Sequence, residues 1–159
     1  EPVDWLGSWY RYRSRDALKQ ASNKKRKKSY SGNVSFDEFV REVLKPKAQR
    51  RNFANLGSPF GVALTDQGTI GCDRIFPYED LSGLYELIET RTKKPLEIAK
   101  MNVSPQGDMT LSDETRAELR QAWSFAFDLH SSLSRDGRID PRFAGRTGKA
   151  DDTDDSDGE

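Results

Sequence analysis

The spacing of apolar residues predicts a helix in each of two segments of the first half. In residues 2–19, a proline at position 2 suits the first turn of a helix, and apolar or aromatic residues recur every three or four positions. Residues 36–44 have the same helical period. Ser35 and Glu38 have the spacing of a capping box at the start of this segment, and Pro46 ends it.

Two further helices are predicted in the second half. One begins at Asp80 or Ser82 and ends before Pro95. The other covers residues 113–130 with Ser112 as its cap, since acidic residues fill its first turn and apolar residues follow at helical spacing.

Between these two pairs of helices, the apolar residues no longer follow the helical period. Residues 62–64 and 70–76 are short runs typical of β-strands, and the Asp-Gln-Gly sequence at 66–68 suits a hairpin turn with glycine at positive φ. A strand that leads into a helix is half of a βαβ unit, which indicates a parallel sheet covered by helices. Four helices and two or three strands cannot complete such a sheet, so we expect its remaining strands before residue 1.

The composition limits the size of the folded part. Of 159 residues, 34% are apolar and 33% charged, with a mean hydropathy of -0.86. We therefore expect one domain over residues 1–133 and a disordered acidic tail over residues 134–159. No apolar run approaches the length of a membrane span, and Cys72 is the only cysteine, which excludes an internal disulfide and favours a cytoplasmic location.

Charge is distributed unevenly along the chain. Residues 1–52 contain 14 Lys or Arg and 6 Asp or Glu, whereas residues 53–159 contain 12 and 20. The run Lys24–Lys28 lies among serine and asparagine without an apolar period. Such a run is typical of a solvated loop, and it is also a candidate site for an anionic partner.

Two short motifs resemble a known family. The sequence EPVDWLGSWY at residues 1–10 resembles the 3′-phosphate-binding segment of sulfotransferases that use 3′-phosphoadenosine 5′-phosphosulfate (PAPS). In that segment an Arg is followed by Asp/Glu-Pro and, eight residues after the Arg, by a Ser that corresponds to Ser8. The Arg itself would come immediately before Glu1.

The second motif, IFPYEDL at residues 75–81, is similar to the strand of the same family that ends in Tyr-Glu-Asp-Leu, whose Tyr approaches the adenine. The corresponding residue is Tyr78. Residues 36–44, 101–104 and 111–130 resemble weaker blocks that follow in the same order, so the resemblance covers about residues 1–133.

The resemblance implies an α/β fold: the C-terminal part of a P-loop-like three-layer sulfotransferase domain, mostly helical here, with a few short strands. It implies PAPS as cofactor, Ser8 and Tyr78 as its binding residues, and transfer of a sulfuryl group to a hydroxyl or amine of a small-molecule or glycan acceptor. The family's 5′-phosphosulfate loop and general base belong to an N-terminal half that precedes this segment. We therefore expect the chain alone to be inactive, and neither a membrane nor nucleic acid is an expected partner.

Other interpretations remain open at this point. Ser8 could be a small residue that lets two helices approach, and Tyr78 could be a core aromatic at the end of a strand. His130, the only histidine, suits the C-terminal end of a helix better than the role of a base. The whole chain could instead be a noncatalytic module that binds a polyanion through Lys24–Lys28, or a remnant without independent function.

Overall fold

The structure, a computed structural model, describes residues 1–96, 107–146 and 148, which form seven α-helices and four short 3-10 segments. The helices are α1 (Pro2–Arg13), α2 (Asp16–Lys19), α3 (Lys24–Lys28), α4 (Phe36–Leu44), α5 (Ser82–Thr92), α6 (Asp113–Ala122) and α7 (Ser124–Ser132). The 3-10 segments are Lys47–Gln49, Asn52–Ala54, Gly61–Ala63 and Pro141–Phe143. The sulfotransferase-like block at residues 101–104 and the acidic residues 149–159 lie outside the described residues.

Helix α4 is the centre of the main hydrophobic core. Its predicted bounds and capping box are confirmed: the Ser35 hydroxyl accepts a hydrogen bond from the Glu38 N–H, and the Glu38 carboxylate accepts one from the Ser35 N–H. One face of the helix is buried against α1 and α6. The buried apolar members of this core are Leu6, Phe36, Phe39, Val40, Val43, Phe53, Ala54, Leu111 and Leu119.

A polar network joins the start of α4 to the start of α6. The Asp37 carboxylate accepts hydrogen bonds from both the N–H and the hydroxyl of Ser112, each at 2.9 Å. Arg41 donates from Nε to the fully buried Thr115 hydroxyl at 2.9 Å and forms an ion pair with Asp37. The Ser112 N–H is the main reason why the pKa of Asp37 is lowered. The cap of one helix is thus fixed by a side chain of the other.

Two of the predicted helices are shorter than expected. Helix α1 ends at Arg13, where the Arg13 carbonyl accepts a hydrogen bond from the distant Ser31 N–H and Arg15 is extended. The predicted helix over residues 113–130 is divided at Trp123, whose φ of -112° and ψ of 30° interrupt the helical geometry. The indole of Trp123 packs edge-on against that of Trp5, with ring centroids 6.0 Å apart. In both places a tertiary contact determines where the helix ends.

The predicted α/β architecture is wrong. In the described part of the chain there is no sheet, and the only β-type pairings are two isolated antiparallel bridges, Leu64 to Ile70 and Arg74 to Arg138. The turn at residues 66–68 is confirmed, with Gly68 at a φ of 78°, but residues 61–63 form a 3-10 segment and Val62 is fully exposed. A β-like run needs neighbouring strands to satisfy its backbone, and the described residues supply only single bridges. A P-loop-like three-layer domain therefore does not describe this chain.

The residues after α7 return to the folded part of the chain. Phe143 is fully buried and packs edge-on against Phe125, with ring centroids 5.7 Å apart. The Gly148 N–H donates to the Gly68 carbonyl at 2.7 Å. The division of the chain after residue 133 stays a prediction. Within the described ranges, none of the helices has the length and apolar character that a membrane span requires.

Glu42 is a buried carboxylate that connects the end of α4 to the segment that follows. It accepts hydrogen bonds from Lys45 Nζ at 2.9 Å, the Arg51 N–H at 2.9 Å and Arg51 Nε at 3.0 Å. Burial alone would raise the pKa of Glu42, but the hydrogen bonds from Lys45 and Arg51 outweigh that effect and the pKa is lowered. The negative charge of Glu42 is therefore part of the folded state.

We expect Glu42→Gln to lower the free energy of unfolding by about 1–3 kcal/mol, because the amide faces three donors without the charge that attracts them. Denaturant unfolding at neutral pH measures the change. Since the folded pKa is depressed, the advantage of the wild type should be complete above the unfolded pKa of about 4.3 and should shrink as the pH falls. Glu114→Gln is the control: Glu114 is 75% exposed, and its loss should change stability by less than about 0.5 kcal/mol. Equal effects of the two substitutions would contradict this account.

Candidate functional site

Ser8 lies on the solvent-exposed side of α1. Within the described residues its hydroxyl forms no hydrogen bond, so both its donor and its lone pairs are available to a ligand. Its neighbour Gly7 is buried instead, and a Cβ there would come within 2.3 Å of Met109 Sδ. A close approach is therefore made at Gly7 and not at Ser8, and the approaching residue, Met109, lies in the non-helical segment before residue 113.

Tyr78 is 85% exposed, which excludes a role as a core aromatic. It lies between the turn-rich segment that ends at Phe76 and the start of α5, where the Asp80 carboxylate accepts a hydrogen bond from the Ser82 N–H. The ring makes no described aromatic or hydrogen-bond contact, so its faces are available for packing.

Glu79 connects the segment that contains Tyr78 to the start of α1. Its carboxylate contacts the α-ammonium of Glu1, at the start of α1, and lies 3.2 Å from His130 Nε2 on α7. Ser8 follows Glu1 by seven residues, which corresponds to roughly 10 Å along the helix axis. Tyr78 is next to Glu79 in the chain, so its backbone lies near the start of α1. The side chains of Ser8 and Tyr78 are both open to solvent, and the predicted cleft between them stays a prediction.

The electrostatics of this side depend on Glu79. Its pKa falls to about 2, mainly because the α-ammonium of Glu1 donates a hydrogen bond to the carboxylate, with a further contribution from His130. The carboxylate thus remains charged throughout the neutral range and holds His130, α1 and the Tyr78 segment together. His130 lies in the last turn of α7, the position that its sequence context predicted.

A second candidate site is the segment between α1 and α4, which we call the basic loop (residues 15–30). Its ends meet: the Ser31 N–H donates to the Arg13 carbonyl at 3.0 Å, and the hydroxyls of Ser14 and Ser31 are 3.0 Å apart. Lys24–Lys28 forms the short helix α3, with the Asn23 side chain as its cap and all five cationic residues exposed. The basic run is exposed to solvent, as predicted, but it is helical. The contacts of Ser31 with Arg13 and Ser14 close the base of the loop that contains it.

The described side chains of the two candidate sites are not arranged to bind a metal ion. In residues 1–96, 107–146 and 148, no group of three or more His, Cys, Asp or Glu side chains is arranged to hold a metal ion. Cys72, the single cysteine, is exposed and free.

Comparison with known proteins adds no relative: no family model, no curated protein and no solved structure matches the chain. The sulfotransferase resemblance therefore depends on the two short motifs and on the placement of Ser8 and Tyr78.

Sequence reasoning missed two features of these sites. The contact between Glu79 and His130 joins residues 51 positions apart, and neither the turn that contains Glu79 nor the helical pattern around His130 gives a sign of it. The closure of the basic loop by Ser14 and Ser31 was also missed, although a serine pair flanking a basic segment is visible in the sequence.

We expect the side-chain carboxyl of Glu79 to titrate near pH 2, which carbon-detected NMR of the labelled chain can measure. Acetylation of the α-amine should raise that pKa more than His130→Ala does, because the ammonium is the largest cause of the shift. The glutamate carboxyl of an unstructured reference peptide, with a pKa of about 4.3, is the comparison. A Glu79 titration that coincides with that of the peptide would show that the contact is not formed in solution.

Proposed function

We propose that the chain is the nucleotide-contacting part of a sulfotransferase-like protein, in which PAPS supplies a sulfuryl group to a hydroxyl or amine acceptor. Ser8 would bind the 3′-phosphate and the Tyr78 ring would pack against the adenine. We also propose a cytoplasmic location, where a reducing environment suits the exposed thiol of Cys72.

One observation carries the proposal. The contact of Glu79 with the start of α1 joins the two motifs, and it supports a site in which Tyr78, next to Glu79, and Ser8, about 10 Å along α1 from Glu1, contact one nucleotide. This is the scale on which an adenine and a 3′-phosphate are held by one protein surface. The contact joins two motifs that are 78 residues apart, and their joint exposure supports a common ligand.

The chemistry of the two side chains suits these two tasks. A hydroxyl without a protein partner can donate to a phosphate oxygen, and an exposed phenol ring offers an apolar face to a base. Their contribution is to bind and orient the nucleotide, which is the part of catalysis that positioning supplies.

A noncatalytic polyanion-binding module is the second candidate function. It is favoured by the cations of Lys24–Lys28, which are all exposed and form no ion pair among the described residues. The two candidates differ in one measurable property, since only the first requires an adenosine nucleotide to bind at Ser8 and Tyr78.

We expect adenosine 3′,5′-bisphosphate to bind the chain, and calorimetry of the variants tests the site. Ser8→Ala should weaken binding roughly 10- to 150-fold, since a hydrogen bond to a charged group is worth about 1.5–3 kcal/mol. Tyr78→Ala should weaken it by roughly 5- to 100-fold, since stacking of a base on an aromatic ring is worth about 1–3 kcal/mol.

Two other exposed positions provide the control substitutions. Ser58→Ala removes a hydroxyl, and Val62→Ala shortens a fully exposed apolar side chain. Both should leave the dissociation constant within about twofold, as expected for surface substitutions. The assignment of the site fails if the wild type does not bind the nucleotide, or if Ser8→Ala and Tyr78→Ala behave like the controls.

A further inference from the structure

The basic loop is held in shape by contacts at its base and by one buried residue within it. The two Ser31 contacts close the base, and Leu18 of α2 is only 4% exposed. A segment of 16 residues with adjoining ends and its own buried side chain has the features of an Ω-loop. Its charges are therefore presented by a closed unit attached to the end of α1.

The charge of this loop is not neutralised by the described chain. It contains seven Lys or Arg and one Asp, Asp16. None of the seven cationic side chains forms an ion pair within the described ranges. Elsewhere arginines have acidic partners, as in Arg41 with Asp37, Arg51 with Glu42 and Arg135 with Glu86. The cations of the basic loop repel one another, and an external anion would relieve that repulsion.

Arginines of α1 extend the positive surface from the loop along the helix. The Arg13 guanidinium lies 5.1 Å from the centre of the Trp9 ring and 5.9 Å from that of Tyr12, and Arg15 lies 5.2 Å from Tyr12. Stacking of this kind fixes the guanidinium planes in advance of binding. The last turn of α1 thus places the stacked guanidinium group of Arg13 beside the basic loop.

We propose that the basic loop, together with Arg13, binds a linear sulfated or carboxylated polysaccharide. Successive residues of a helix are 100° apart, so the five cations of Lys24–Lys28 project around the whole circumference of α3. That distribution suits a narrow polymer that passes around the loop. Lysine acts as a compact point charge without a fixed donor geometry, which suits irregularly spaced sulfate and carboxylate groups.

Two other anionic partners fit the loop less well. A flat anionic membrane would meet only one side of α3, and the large apolar residues that are exposed among the described ones, Val62, Tyr78 and Leu96, all lie outside the loop. Single-stranded nucleic acid is usually held by free aromatic faces, whereas Trp9 and Tyr12 are already engaged by Arg13, Arg15 and each other. These two partners are the alternatives that the experiment must exclude.

Under the proposed sulfuryl transfer, the bound polysaccharide would be the acceptor, and only this role rests on the proposed function. Ser14, at the base of the loop, is six residues from Ser8 on one helix, which corresponds to about 9 Å. A polymer on the loop would therefore lie close to the nucleotide bound at Ser8. The binding of the polymer itself does not depend on the nucleotide.

The test is the affinity of the full chain for a heparin oligosaccharide of defined length, measured by fluorescence polarisation over a range of salt concentrations. The loop variant combines Lys24→Gln, Lys25→Gln and Lys27→Gln, and the matched control combines Lys47→Gln, Lys93→Gln and Lys94→Gln. All six lysines are exposed and form no described ion pair, so both variants lose the same charge and should keep the melting temperature of the wild type.

We expect the loop variant to bind roughly tenfold or more weakly at physiological salt, with the slope of log affinity against log salt reduced by about 2 to 3. The control should remain within about twofold of the wild type. Equal losses in the two variants would overturn the assignment to the loop. Loop-dependent binding that is as tight for oligodeoxythymidine, or for phosphatidylserine vesicles, as for the heparin oligosaccharide would overturn the choice of partner.

The Ser8→Ala variant separates this inference from the proposed function. It should weaken adenosine 3′,5′-bisphosphate binding and leave the affinity for the heparin oligosaccharide unchanged. Loop-dependent heparin binding without nucleotide binding would retain the polysaccharide site and remove the acceptor role. Nucleotide binding without heparin binding would remove the polysaccharide site alone.

Discussion

Aromatic contacts on two sides of α1 fix the position of both candidate sites. On one side Trp5 packs against Trp123, with ring centroids 6.0 Å apart. On the other, the Tyr10 ring lies 5.4 Å from Phe36 and 5.5 Å from Phe39, and its hydroxyl donates to the Val34 carbonyl at 3.0 Å. Such pairs contribute about 0.5–1.5 kcal/mol each beyond the area that they bury. Because α1 is held in this way, Ser8 and the base of the basic loop keep a fixed separation.

The elements that sequence reasoning predicted correctly are those whose signals are local. The capping box of Ser35 and Glu38 and the apolar face of α4 lie within ten residues, and the helix formed with the predicted bounds. The cap of α6 at Ser112 and the positive φ of Gly68 were also predicted from neighbouring residues. The prediction of strands was wrong because the β-like pattern of residues 70–76 shows only that this segment is able to pair with a strand. Pairing requires a partner, and the described residues supply one bridge to Leu64 and one to Arg138.

The candidate sites show the same difference between local signals and long-range contacts. Ser8 and Tyr78 were found from short motifs, and their exposure agrees with the availability that a ligand contact requires. What the motifs could not provide was the connection between them. That connection is made by Glu79, through contacts that depend on how α1 and α7 pack. The basic run was visible from composition alone, whereas the closed base that turns it into a defined surface depends on Ser14 meeting Ser31.

The positive charge at the end of α1, beside the basic loop, raises the question of why the folded chain tolerates it without described acidic partners. Part of the answer lies in the direction of α1. Its last turn contains Arg11 and Arg13, where the exposed carbonyl groups of a helix carry partial negative charge and stabilise cations by about 0.3–1 kcal/mol each. The ring faces of Trp9 and Tyr12 add a further favourable environment for Arg13. The carbonyl groups and the aromatic rings carry no net charge. Both interactions therefore stabilise the cations in the free chain and leave their positive charge available to a bound polyanion.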